Sequence, residues 1–96
     1  MKTMYVYILH CADDSYYVGV TNNVNRRFAE HTEGDHKESY TYSRRPLKLV
    51  YYEIIDGPNT AIAREKQLKK WSRKKKIALI ENNIENLEKL AKKDFS

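Results

Sequence analysis

Apolar and polar positions alternate along two stretches near the start of the chain. Residues 4–10 and 15–20, rich in tyrosine and valine, change face at every step, the period of a strand with one face on a core. Cys11-Ala12-Asp13-Asp14 between them reads as a hairpin turn, too short for a crossover, so the two strands should run antiparallel. Asn22 or Asn23 then caps a helix to about Thr32, residues 33–46 form a polar loop, and Leu47 to Ile55 has the residue types of a third strand. Asp56-Gly57-Pro58 ends that strand, and Asn59 or Thr60 starts a helix reaching about Trp71. Ser72 caps a further helix over Arg73 to Glu81, and a last one carries Ile84, Leu87, Leu90 and Ala91 at helical spacing. The order ββαβααα predicts a mixed α/β domain of the α+β type, a three-stranded antiparallel sheet flanked by helices.

The same alternation places chemistry. Tyr5, Tyr7 and Leu9 share one face of the first strand. Tyr17 and Gly19 share a face of the second, opposite Tyr16, Val18 and Val20. Gly19 leaves that face bare, so another group can approach the backbone there. Arg27 and His31 stand four residues apart on a helix face with Val24 and Phe28. Glu65 falls between Ala61 and Leu68 on the wheel of its helix, which turns its carboxylate inward. An inward carboxylate needs a partner. Either an arginine such as Arg27 pairs with it structurally, or it binds a divalent metal.

Composition narrows the classes. Ninety-six residues make a single domain spanning 1–96 with a modest core, and no apolar run is long enough for a membrane helix. One cysteine, Cys11, excludes an internal disulfide, and no His/Cys group has zinc spacing. These features, with no signal-peptide layout at the start, predict a cytoplasmic protein. The net charge is +5 and the pI about 9.3. The excess is local: residues 64–76 carry eight basic side chains against Glu65 alone. Such a stripe is the footprint expected for a polyanion, and equally that of a solvated helix surface.

Tyr5-Val6-Tyr7, then Tyr17-Val18-Gly19 with Arg27 and His31 behind it, resemble the GIY-YIG nuclease domain, and Arg64-Glu65-Lys66-Gln67-Leu68 resembles the helix that carries that family's metal-binding glutamate. The match extends over nearly the whole chain and is nearest the small stand-alone bacterial branch. Tyr5 departs from the first motif, where glycine is usual. The resemblance implies the same fold and a metal-dependent endonuclease that hydrolyses DNA phosphodiester bonds, with repair or recombination as the setting. It implies Mg²⁺ or Mn²⁺ on Glu65, Arg27 on the phosphoryl oxygens, and His31 as an orienting or relaying group, although a lone histidine is as often a structural hydrogen-bonder. It implies that one of the two tyrosines, Tyr7 or Tyr17, activates water, with Tyr7 slightly preferred and Tyr17 then a positioning group, if nearby positive charge lowers the tyrosine's value. Asn83 matches an asparagine of some members, or caps the last helix. The expected backbone contacts are Arg44 and Arg45 in the polar loop, beside His36 and Tyr42, and Lys69, Lys70, Arg73 and Lys74 in the stripe. The expected partner is nucleic acid, DNA rather than RNA, with a protein partner supplying specificity because no separate reading domain is present. The competing readings are a nucleic-acid binding module with a vestigial site and a protein-interaction adaptor using the Ile84 to Phe95 helix.

Overall fold

A computed structural model describes residues 2–34 and 37–82. Three strands, β1 (Thr3–His10), β2 (Tyr16–Thr21) and β3 (Lys48–Asp56), form one antiparallel sheet in the order β2-β1-β3. Helix α1 (Val24–Glu33) follows β2, a short turn of 3₁₀ helix (Tyr42–Arg44) interrupts the polar loop, and α2 (Pro58–Lys70) follows β3. Residues 73–82 are again helical, and the Ser72 hydroxyl accepts the Lys75 amide at their start, as a cap should. The expected α+β order is present as far as residue 82. The proposed last helix, Asn83 and His36 lie outside the described residues.

The central place of β1 explains its burial. With a strand on each side, Val6, Ile8 and Leu9 are fully buried and Tyr7 is 2% exposed. Val6, Ile8 and Val18 turn to one face, against Ala61 and Leu68 of α2 and Ile80. Tyr7, Leu9 and Leu47 turn to the other, with Tyr17, Phe28 and Leu49 packed on them. A short chain therefore builds two thin cores, one on each side of the sheet.

Helix ends follow local chemistry. Asn23 takes the α1 N-cap and accepts from the Arg26 amide at 3.0 Å. Gly34 closes α1 in the left-handed region (φ 73°), the conformation that glycine adopts most easily. Helix α2 starts earlier than expected. Gly57 is its N-cap and Pro58 its first residue, because proline's fixed φ suits the first helical turn, where its missing N–H goes unneeded. Asn59 and Thr60, expected to start the helix, lie inside its first turn.

Two faces of α2 are fixed by polar contacts as well as by packing. Arg64 donates to both oxygens of Glu53 on β3, at 2.9 and 2.8 Å, to Gln67 at 2.7 Å, and lies over the Trp71 ring. The first residue of the basic stripe is thus a clamp between helix and sheet. Burial pushes the Glu53 carboxyl up, but the hydrogen bonds from Arg64 and Tyr51 outweigh it and hold the group below the usual carboxylate range.

Candidate active site

The site is built around Tyr7. Its register partner on β2 is Gly19. A methyl group at Gly19 would lie 2.9 Å from Cε1 of Tyr7, and closer still to Cζ and the hydroxyl. The bare strand face expected at Gly19 is therefore filled from within, by the Tyr7 ring lying across the backbone. This brings the hydroxyl to α1, where His31 Nε2 sits 2.9 Å away. The other ring nitrogen, Nδ1, is 2.8 Å from the hydroxyl of Thr41, which is 1% exposed and also meets Ser39 at 3.2 Å. Arg27 acts on the same Tyr7 oxygen, and a guanidinium can only donate. One tautomer that fits both contacts has Tyr7 donating to Nε2 and Nδ1–H donating to Thr41, with the Arg27 charge near the Tyr7 oxygen.

Electrostatics runs against one expectation. The Tyr7 value does not fall. Burial pushes it up to about 12, and Glu65 and Tyr17 add to the rise, while Arg27 offsets it only in part. In the unfolded chain the group titrates near 10, so the native state favours the neutral phenol. Its contribution to stability is complete below pH 10 and is lost as pH rises from there through about 12. Tyr51, buried and donating to Glu53, is also pushed up, so an alkaline absorbance titration should show two late-ionising tyrosines, and Tyr7→Phe should remove one of them. An unchanged late amplitude in that variant would show that Tyr7 is not one of the two.

Tyr17 is placed differently. It is half-buried, packs edge-on against His31 at 5.3 Å, tilts on Tyr7 at 6.3 Å, and stacks on Tyr40 at 6.0 Å. It lines an open pocket of about 310 Å³ together with Tyr16, Tyr40, Lys69 and Lys76. Glu65 borders this region from α2. Its side chain is 16% exposed, its carboxylate reaches Lys69 at 3.6 Å, and its charge is felt at Tyr7. The inward turn of Glu65 is thus present, but its ion-pair partner is Lys69. Arg27 pairs instead with Glu30 at 3.5 Å.

The expected backbone contacts separate into two groups. Arg44 is held by Asp13 at 3.0 Å and the Tyr40 carbonyl at 2.7 Å, and covers the Tyr40 ring at 3.7 Å. Arg45 donates to the Tyr42 carbonyl and lies over the Tyr42 ring. Arg73 binds the carboxylate and carbonyl of Asp14 and lies over Tyr16. These three arginines have structural partners that reduce their freedom to reach a ligand. Lys69, Lys70 and Lys74 are exposed along one segment. Thr41 and Tyr40 escape sequence reasoning. They sit in a loop with no periodicity, and only the Tyr40-Thr41-Tyr42 cluster ahead of two arginines hints at them.

The donor set limits the metal. Among the described residues no group of three or more histidines, cysteines, aspartates and glutamates comes together as a metal cluster. Glu65 offers one hard carboxylate beside the tyrosine pocket. One carboxylate fits Mg²⁺ or Mn²⁺ held with waters and substrate phosphate oxygens, rather than a cation caged by protein alone. No helix among the described residues is long and apolar enough to cross a membrane.

Comparison with known proteins shows the family and the fold. The chain is 45% identical over 87 residues to a UPF0213 protein of Syntrophus aciditrophicus, covering 91% of this chain and all of that one. It is 43% identical over 88 residues to one of Clostridium perfringens, covering 88% and 94%. The solution NMR structure of a UPF0213 protein from Bacillus halodurans matches with a TM-score of 0.53 at 38% identity, over 82% of this chain and 83% of that one. Residues 3–78, which hold both tyrosine motifs, Arg27, His31 and Glu65, match the GIY-YIG catalytic domain, and the chain belongs to that family.

Proposed function

We propose that this protein is a metal-dependent endonuclease that hydrolyses DNA phosphodiester bonds. One observation carries the reading: a buried tyrosine–histidine pair lies within electrostatic reach of both a cation, Arg27, and a carboxylate, Glu65, beside an open basic pocket. A cation beside a tyrosine suits the phosphoryl charge that grows during in-line attack. The activator of water has to reach substrate. Tyr7 is sealed in the sheet, whereas Tyr17 lines the pocket, which favours Tyr17 of the two tyrosines that the sequence left open. Tyr17 takes a proton from the attacking water while its own hydroxyl proton passes to solvent in the open pocket, the water oxygen forms the new bond to phosphorus, and the bond to the 3′ oxygen breaks, that oxygen taking up a proton from solvent. Tyr7 and His31 hold the ring of Tyr17 and carry charge shifts into the buried network. Glu65 would hold the divalent cation, which supplies stabilisation of the leaving oxygen when bound. Comparison of the native protein with Glu65→Gln on labelled DNA tests the reading.

Lys69, Lys70 and Lys74 fit the flanking backbone, with specificity arising from structure or from a protein partner. Affinity should fall as salt rises, because phosphate contacts release counterions. The double variant Lys70→Gln/Lys74→Gln should lower the slope of log affinity against log salt by about 2. An unchanged slope, measured by anisotropy of a labelled oligonucleotide, would remove these two lysines from the interface.

A further inference from the structure

A second cavity, of about 360 Å³, lies elsewhere on the molecule and shares no residue with the Tyr17 pocket. Its size is at the lower end of the range that holds small ligands, about 300–1,000 Å³. Tyr5 and Tyr52 form its aromatic part, their rings edge to face at 6.2 Å. Asn22, Asn23 and Asn25 line it at the start of α1, with Leu49 at its base. The register pairs Tyr5 with Ile54 and Tyr7 with Tyr52, so this patch continues the sheet face that carries Tyr7. It is left uncovered: Tyr52 is 49% exposed and Ile54 69%. Tyr5 is also the residue that departs from the family's first motif, and the catalytic network has no use for it.

We infer that this cavity receives an unpaired nucleobase of the bound strand. The inference rests on the nucleic-acid reading above and adds a preference for single-stranded or locally opened substrate. The chemistry is that of base recognition. Exposed tyrosine rings supply a face for stacking, and side-chain amides supply hydrogen bonds to a base edge. Asn22 and Asn23 give their side-chain oxygens to Arg26, at 2.8 and 3.0 Å, so they present donors suited to a base's carbonyl and ring-nitrogen acceptors. Asn25 is exposed at the rim. The first turn of α1 holds no acid, and Arg26 is anchored to Asn22 beside the cavity, which suits the phosphate that follows the base's sugar. A peptide strand on the β3 edge would find the apolar patch but would have no need for three asparagines.

The test is equilibrium binding of labelled single-stranded and duplex oligonucleotides in chelator, which prevents cleavage. Tyr52→Ala should weaken single-strand binding about ten-fold, the scale of one lost base stack, and leave duplex binding unchanged. Tyr52→Trp should bind single strands at least as tightly as the native protein. Asn25→Ala, at an exposed helix position, should weaken binding several-fold and reduce any preference among homopolymers. In the native protein, the Tyr5 and Tyr52 ring resonances should shift on addition of a dinucleotide, a readout that needs no variant. Native binding of single strands that Tyr52→Ala and Asn25→Ala leave untouched overturns the base pocket and spares the nuclease reading. Absence of any oligonucleotide binding by the native protein at low salt overturns both.

Discussion

Glu65→Gln is expected to abolish DNA hydrolysis while leaving DNA binding intact. Glutamine keeps the shape of the side chain and its place at 16% exposure, so α2 should pack as before on Val6, Ile8 and Val18. What disappears is the negative charge. Without it the carboxylate proposed to hold Mg²⁺ or Mn²⁺ is gone, and a loss of at least about 10²–10³ in rate follows from removing a group aimed at transition-state charge. Binding should hold or tighten slightly, because Lys69 is released from its partner and the protein gains one unit of positive charge. The comparison uses single-stranded, duplex and branched DNA with each metal. Equal cleavage by both proteins would point to a contaminant or a misplaced centre. Cleavage by neither, with salt-sensitive binding in both, would favour the binding module over the enzyme.

Gly19→Ala is expected to lower stability and activity together. Two effects compete. Gly19 does not occupy the left-handed region, so its backbone accepts alanine, and restriction of the unfolded chain alone would stabilise by about 0.4–1 kcal/mol. Against this, the new methyl meets three atoms of a rigid ring that is 2% exposed and has nowhere to move. Overpacking of this kind costs about 1–3 kcal/mol, so the steric effect wins. Any relief swings Tyr7 away from His31 and breaks the 2.9 Å contact. Denaturant midpoints and cleavage rates measure the two losses. The double variant Gly19→Ala/Tyr7→Leu should recover stability relative to the sum of the single changes, the non-additivity of residues in contact, without recovering activity. A Gly19→Ala protein as stable and as active as the native one would show that the ring does not depend on the bare backbone.

The two tyrosine strands, α1 and the residue types of the site are legible in the sequence because each rests on local signals. Period-two alternation put Tyr5, Tyr7 and Leu9 on one face of β1 and Tyr17 and Gly19 on one face of β2, and asparagine announced the α1 cap. Glu65 stood out because helical spacing set it among apolar neighbours. Partners were not legible in the same way. The Glu65–Lys69 pair is a local i,i+4 contact of the helix that the expectation of Arg27 passed over, but nothing local told that Arg64 would leave the basic stripe to clamp Glu53. Thr41 is a buried partner of His31 drawn from a loop without periodicity, where only the folded chain reveals the contact.

By itself, the sequence determined the element order through residue 82, the faces of the strands, the position of the basic excess and the family. Those properties depend on residue spacing and type, which are one-dimensional. The tertiary structure alone decided that β1 lies at the centre of the sheet, which buries Tyr7 from both sides and raises its hydroxyl toward 12 instead of lowering it. It decided that Tyr17 faces the accessible pocket, that Arg44, Arg45 and Arg73 are held by the protein's own acids, carbonyls and rings, and that Tyr5 and Tyr52 meet beside three asparagines. Burial and charge partners arise from contacts between residues far apart in the chain, and desolvation outweighs a neighbouring cation only once those contacts have closed.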